Sequence, residues 1–132
     1  MKIVTALTAA LLVATLTTAA QAGPRDDIVQ SFMAQGAASG DAARGQKLFT
    51  TKFGLGKPET PSCTTCHGAT PFTSGETRTG KVIEPMAVSK TPARYTDPKK
   101  VAKWFRRNCN SVLGRECTAQ EKVDFITYMS GQ

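Results

Sequence analysis

The sequence predicts an all-α domain, and three observations carry that prediction. Apolar residues recur at helical spacing in four stretches: residues 27–38, the stretch after Asp41, residues 97–110 and the stretch after Thr118. The last three each open on a residue suited to a helix N-terminus, Asp41, Asp97 and Thr118. No stretch makes a convincing strand, and there are no internal repeats or low-complexity tracts.

The chain begins with Lys2, an unbroken run of Ile, Val, Leu, Ala and Thr over residues 3–18, and then Ala20-Gln21-Ala22. Small residues at Ala20 and Ala22 are what a signal peptidase reads, so a secretory signal cleaved before Gly23 is expected. An uncleaved anchor fits less well, because the run is rich in Ala and Thr and no basic cluster follows it. No later segment is apolar enough to span a bilayer. The expected organisation is a signal peptide, residues 1–22, and one domain, residues 23–132.

Within that domain the first helix is expected over residues 27–38, carrying Ile28, Val29, Phe32 and Met33 and stopped by Gly36 and the small residues up to Gly40. A second helix starts at Asp41 and turns Ala42, Leu48 and Phe49 inward. Residues 52–62 are a Gly/Pro-rich loop. Residues 68–96 are rich in Thr, Pro and Gly and read as ordered loop with one short helical turn. Asp97-Pro98 places an acid at the cap and proline in the first turn, and the helix should run to about Asn110. Val101, Trp104, Phe105, Asn108 and Cys109 then share one face. Gly114 breaks the chain, and Thr118 with Glu121 forms a capping box. The last helix carries Val123, Phe125, Ile126, Tyr128 and Met129.

A domain this small buries roughly two-thirds of its unfolded surface and gains from something extra in its core. The formal net charge of the whole chain is +7. A basic surface suits nucleic acid, an anionic membrane or an acidic protein, and export argues against nucleic acid. Four cysteines in an exported chain usually mean disulfides. Here they fall into two pairs with different chemistry.

Cys63-Thr64-Thr65-Cys66-His67 puts two thiols and an imidazole within about one or two turns of backbone. Each thiol can form a thioether with a haem vinyl group, and the next residue projects its imidazole to the iron. A thioredoxin-like redox pair would need a βαβ frame, which is absent. A zinc site would want a second close Cys pair, and Cys109 and Cys117 stand too far apart. One covalent haem c, held by Cys63, Cys66 and His67, is therefore expected. Wrapping it would give the long loop over residues 68–96 a reason to exist.

His67 is the only histidine, so a second histidine ligand is excluded. Met33 and Met129 lie on apolar helix faces and read as core. Two candidates remain for the far side of the iron. Met86 lies in the loop after the motif beside Pro85, and Asn108 is a polar residue on an apolar helix face. Taken alone, Asn108 reads as a residue near a helix C-terminus bonding nearby backbone.

Gly45, Leu48 and Phe49 resemble the N-terminal helix of class I cytochromes c, where glycine lets that helix cross closely over the C-terminal one. Phe125 and Tyr128 suit the other side of such a crossing. Three segments resemble the sphaeroides haem protein family of class I cytochromes, related to cytochrome c double-prime. They are Pro61-Ser62-Cys63-Thr64-Thr65-Cys66-His67-Gly68, Thr77-Arg78-Thr79-Gly80-Lys81, and Arg107-Asn108-Cys109-Asn110-Ser111-Val112-Leu113-Gly114-Arg115.

The resemblance covers nearly the whole of residues 23–132. It implies a class I cytochrome c fold with an additional N-terminal helix, and iron bound by His67 and by the Asn108 side chain. Cytochrome c double-prime has histidine where Asn108 stands. The family has leucine where Met86 stands, so Met86 stays as the alternative ligand. A Cys109–Cys117 disulfide is also implied, in keeping with export and the lack of another free partner. Trp104 would pack at the haem edge, and Arg78 and Lys81 would neutralise propionates. Lys99, Lys100, Lys103, Arg106 and Arg107 could form a docking face.

An amide oxygen is a neutral, hard, weak donor. Ferric iron tolerates it better than ferrous iron, so reduction should loosen Asn108 and open the iron to O2, NO or CO. The implied function is a periplasmic electron carrier with redox-gated binding of these diatomic gases. Its implied partners are a dihaem cytochrome c and a membrane cytochrome b, and the protein is expected to act as a monomer. A haem enzyme converting O2 or NO is the competing class, disfavoured because no distal histidine offers acid–base chemistry. An ordinary His/Met carrier using Met86 is the third.

Overall fold

The computed structural model describes residues 22–132, and the expected signal sequence lies outside them apart from Ala22. In chain order the elements are α1 (Pro24–Met33), α2 (Ala42–Thr50), α3 (Thr64–His67), β1 (Gly75–Glu76), β2 (Val82–Ile83), α4 (Pro98–Leu113) and α5 (Ala119–Ser130). Among the described residues no helix is long and apolar enough to cross a membrane.

Local chemistry sets most of the helix ends. The Gly23 amide donates to Asp26 Oδ2 (2.9 Å), and Pro24 opens α1 earlier than the apolar spacing suggests. The helix stops at Met33, short of the expected Ala38, and Gly36 takes a left-handed φ of 100°. Asp41 caps α2 by accepting from the Arg44 amide at 2.8 Å. Asp97 caps α4 by accepting from the amides of Lys99 and Lys100 (2.9 and 3.0 Å). Thr118 and Glu121 bond each other's backbone amides at the start of α5 (3.1 and 2.8 Å).

Two of these helices make the central crossing. A Cβ on Gly45 would stand 2.1 Å from the Asp124 carbonyl oxygen and 2.7 Å from Tyr128 Cβ. Only glycine lets α2 lie this close on α5. Phe49, fully buried, then packs edge-on to Phe125 (6.2 Å) and tilted to Tyr128 (6.3 Å). Phe125 continues the aromatic core to Phe105 of α4 (5.6 Å), and Phe105 meets Phe32 of α1 (6.3 Å).

Three expectations need correction. The loop over residues 68–96 contains a short antiparallel hairpin, pairing Gly75 with Ile83 and Glu76 with Val82, besides the expected single turn, in which the Thr91 amide donates to the Ala87 carbonyl at 3.0 Å. Strands of two residues are too short to show alternation. Helix α4 continues past Asn110 to Leu113 and ends where Gly114 adopts φ 69°. Its apolar face is also narrower than expected. Val101, Phe105, Cys109, Val112 and Leu113 are buried, whereas Trp104 is 48% exposed and Asn108 is half-buried. Trp104 and Asn108 thus form a stripe on one flank of the core face.

Candidate prosthetic-group site

The motif is folded into one turn of helix. The His67 amide donates to the Cys63 carbonyl (3.1 Å), which also accepts from the Cys66 amide (3.3 Å). This turn is fixed from below by Ser62, 3% exposed, whose hydroxyl bonds that of Thr64. It is covered by β1, where a Cβ on Gly75 would fall 1.9 Å from the Cys66 carbonyl oxygen and 2.7 Å from His67 Cα. Cys63 and Cys66 are half-buried and free. The Cys63 thiol points at the Leu48 carbonyl of α2 (3.7 Å), and burial pushes its pKa up to about 11, so it is a neutral thiol.

His67 is available as a ligand. A core histidine would have both ring nitrogens bonded, but here Nδ1 is buried without a partner. Burial first, and then the nearby Arg94 cation, push its pKa down to about 4. The imidazole is therefore neutral at neutral pH, the state that metal ligation requires.

Arg94 and Tyr95 carried no signal in the sequence, because they sit in a stretch without periodicity. Arg94 donates to the carbonyls of Pro85 (3.1 Å) and Glu84, and the Tyr95 hydroxyl donates to the Met86 carbonyl (3.2 Å). Arg25 of α1 reaches across to the carbonyls of Pro92 (2.7 Å) and Arg94 (3.0 Å). The N-terminal helix thereby braces the turn that holds the Met86 segment. Tyr95 takes φ 61°, a costly backbone for a bulky side chain, and packs edge-on to Phe125 (6.3 Å). Burial raises its phenol pKa, so it stays protonated.

The two candidates for the far side of the iron are placed differently. Met86 is 6% exposed and belongs to the hydrophobic core. Asn108 is half-buried in mid-helix, and among the described residues nothing bonds its side-chain amide. Next along the same helix, Asn110 does what was expected of Asn108, donating to the Arg106 carbonyl at 2.7 Å.

The loop before the motif is tied to the α4 flank that carries Asn108. Thr60 Oγ1 bonds the Ser111 carbonyl (3.0 Å) and the Ser111 hydroxyl (2.8 Å), and Gly56 lies against the Ser111 backbone. Arg78, in the hairpin tip, pairs with Glu59 of that loop at 2.7 Å, and Lys81 is exposed. Cys109 and Cys117 are bonded to each other, with Cα atoms 5.5 Å apart.

Among the described residues four large apolar side chains are exposed: Leu55 (68%), Val82 (62%), Trp104 (48%) and Phe72 (46%). All four come from the segments around the motif or from the Asn108 stripe, and they are apolar surface of the kind a flat apolar group would cover. The neutral unpaired imidazole, the two free thiols and these side chains together fit a haem.

A family model described as a domain of unknown function (DUF1924) matches residues 35–129. Cytochrome c-type protein SHP of Cereibacter sphaeroides is 50% identical over 105 residues, which is 80% of this chain and 81% of that protein. Cytochrome c'' of Methylophilus methylotrophus is 36% identical over 86 residues, covering 64% of this chain and 60% of its own. A solved structure of oxidized SHP, described as an oxygen binding cytochrome c, has a TM-score of 0.78 at 49% identity and covers 82% of this chain and 96% of its own. The crystal structure of oxidized cytochrome c'' has a TM-score of 0.66 at 30% identity, covering 80% of this chain and 92% of its own.

Proposed function

The chain belongs to the DUF1924 family and to that of cytochrome c-type protein SHP, and from that membership we propose that it is an exported electron carrier whose haem iron opens to diatomic ligands on reduction. It is a monohaem cytochrome c with the all-helical cytochrome c fold and covalent haem c. In our reading, Cys63 and Cys66 form the thioethers and His67 binds the iron. Bound haem supplies a one-electron ferric/ferrous couple and, where its sixth position is free, a site for O2, NO or CO.

The protein's part is to decide when that position is free. The observation that carries the proposal is the contrast between Asn108 and Met86. The Asn108 amide has no internal partner and stands on the stripe it shares with Trp104, whereas Met86 is packed into the core. A neutral amide oxygen holds ferric iron and releases ferrous iron, so Asn108 acts as a cap set by redox state. Oxygen binding by SHP supports the gas-binding part of this reading. Lys81 and Arg78 neutralise propionates in this reading, with the Arg78–Glu59 pair holding the hairpin to the loop before the motif. Residues 1–22 serve as the signal peptide, residues 23–132 as the working domain, and the electron partners are a dihaem cytochrome c and a membrane cytochrome b.

The test is absorption and EPR spectroscopy of the purified holoprotein, oxidised and reduced, with and without CO. The expected result is a high-spin ferrous spectrum that shifts promptly with CO. A low-spin ferrous spectrum indifferent to CO, with a far-red thioether band when oxidised, would assign the sixth position to Met86. The protein would then be a plain electron carrier.

A further inference from the structure

The basic residues of α4 do not make one surface. At about 100° per residue, Lys99 and Arg106 fall on the flank away from the Trp104–Asn108 stripe, and Lys103 lies between the two, its ammonium 5.3 Å from the Trp104 ring centroid. Arg106 and Asn108 are about 160° apart around the helix. There the three cations meet Lys122 of α5 and line a cleft of about 450 Å³ together with Phe32 of α1 and Glu116. The Lys122 ammonium lies 5.2 Å from the Phe32 ring centroid, which holds it over the cleft.

Two features distinguish this cleft from the wet side of a helix. It is concave, built by three helices rather than one, and large enough for a small molecule. Its cations are also unpaired. Among the described residues the ion pairs are Arg44 with Asp41 and Asp124, Arg78 with Glu59, and Arg115 with Glu121, and none involves Lys99, Lys103, Arg106 or Lys122. Four cations and one carboxylate crowd one concavity, and the field left over is that of about three positive charges. Such a field concentrates anions, and Arg106 adds a planar fork that matches carboxylate or phosphate oxygens.

We propose that the cleft between α1, α4 and α5, lined by Lys99, Lys103, Arg106 and Lys122, binds a small anion carrying two or three negative charges. Phosphate esters and polycarboxylates share the chemistry required, namely several oxygens at close spacing. Apart from the Lys103 ammonium beside Trp104, the site lies away from the Asn108 stripe, and it does not depend on which residue holds the iron.

The experiment is calorimetric titration of the holoprotein with sodium pyrophosphate and, separately, with sodium citrate, in about 100 mM salt to screen the general field. Saturable binding of either at one site is expected, with the preferred probe telling phosphate from carboxylate chemistry. An Arg106→Gln/Lys122→Gln variant should bind about ten-fold more weakly or worse. A Lys47→Gln/Lys90→Gln variant, with the same charge change at exposed residues outside the cleft, should stay within about two-fold. Haem absorbance and melting temperature check that both variants fold. The proposal is overturned if neither anion saturates, or if the two variants weaken binding equally. Binding of a hexaglutamate peptide where both small anions fail would also overturn it and make the cleft a protein contact.

Discussion

Asn108 and Asn110 are two residues apart on α4 and behave differently. Asn110 bonds the Arg106 carbonyl, and Asn108 bonds nothing within the described residues. Replacing Asn108 with leucine should therefore unmask the ferric iron. A ligand that holds a site nine-tenths of the time weakens any competitor about ten-fold. Asn108→Leu should tighten azide binding to the oxidised holoprotein by about that factor, whereas Asn110→Ala should leave it unchanged. Spectrophotometric azide titration reads both, and an unchanged Asn108→Leu would remove the cap. At this scale legibility followed residue type. Cys63, Cys66 and His67 stood out because a covalently held macrocycle would demand that spacing, and Gly45 was readable because a close crossing needs a residue without Cβ. Tyr95 was not readable. A left-handed backbone at tyrosine has no local cause, and the clamps around it tie it to other segments, Arg25 of α1 to the Arg94 carbonyl and Arg94 to the Pro85 carbonyl.

The starts of α2, α4 and α5 were legible because caps are local, an acid or hydroxyl side chain against amides three residues on. The end of α4 was misjudged for the opposite reason. Asn110 and Ser111 are weak helix formers, but Val112 and Leu113 are buried, and Cys109 is tied to Cys117 beyond the turn. Tertiary burial and a covalent link extend the helix past its local preference. The hairpin escaped notice because four residues carry no period; Gly75, seated on the Cys66 backbone, fixes it in space. The disulfide closes a loop with a sequence separation of 8, and closing a loop that short stabilises by about 2–3 kcal/mol in the chain-entropy model. A Cys109→Ala/Cys117→Ala protein should lose about that much in denaturant unfolding. If the bond also holds Asn108 in place, azide affinity should rise as well. If it only stabilises, affinity stays put while the midpoint falls.

The whole molecule is tied together by the α2–α5 crossing, and one buried charge sits at its centre. Asp124 is 3% exposed, yet it accepts from Arg44 Nε (2.7 Å) and Nη2 (2.8 Å), the Asp41 amide (2.8 Å) and Gln120 Nε2 (2.9 Å). These bonds join the start of α2 to α5 beside the Gly45 contact, so they set the spacing that every aromatic in the core depends on. Burial alone would raise the Asp124 pKa; the Arg44 bond, with those from the Asp41 amide and Gln120, outweighs it and leaves the pKa below the usual carboxylate value. A depressed folded pKa means that the unfolded chain takes up the proton first. The stabilisation is therefore whole above the ordinary carboxylate range and disappears as pH falls through the folded value. Asp124→Asn keeps the volume and removes the charge, and should cost about 2 kcal/mol at neutral pH. The gap between wild type and variant should narrow as pH falls below about 4 and close at lower pH. Holoprotein melts across that range measure it directly. A gap that stayed constant with pH would mean that Asp124 contributes shape and hydrogen bonds to the crossing, and that its charge contributes nothing.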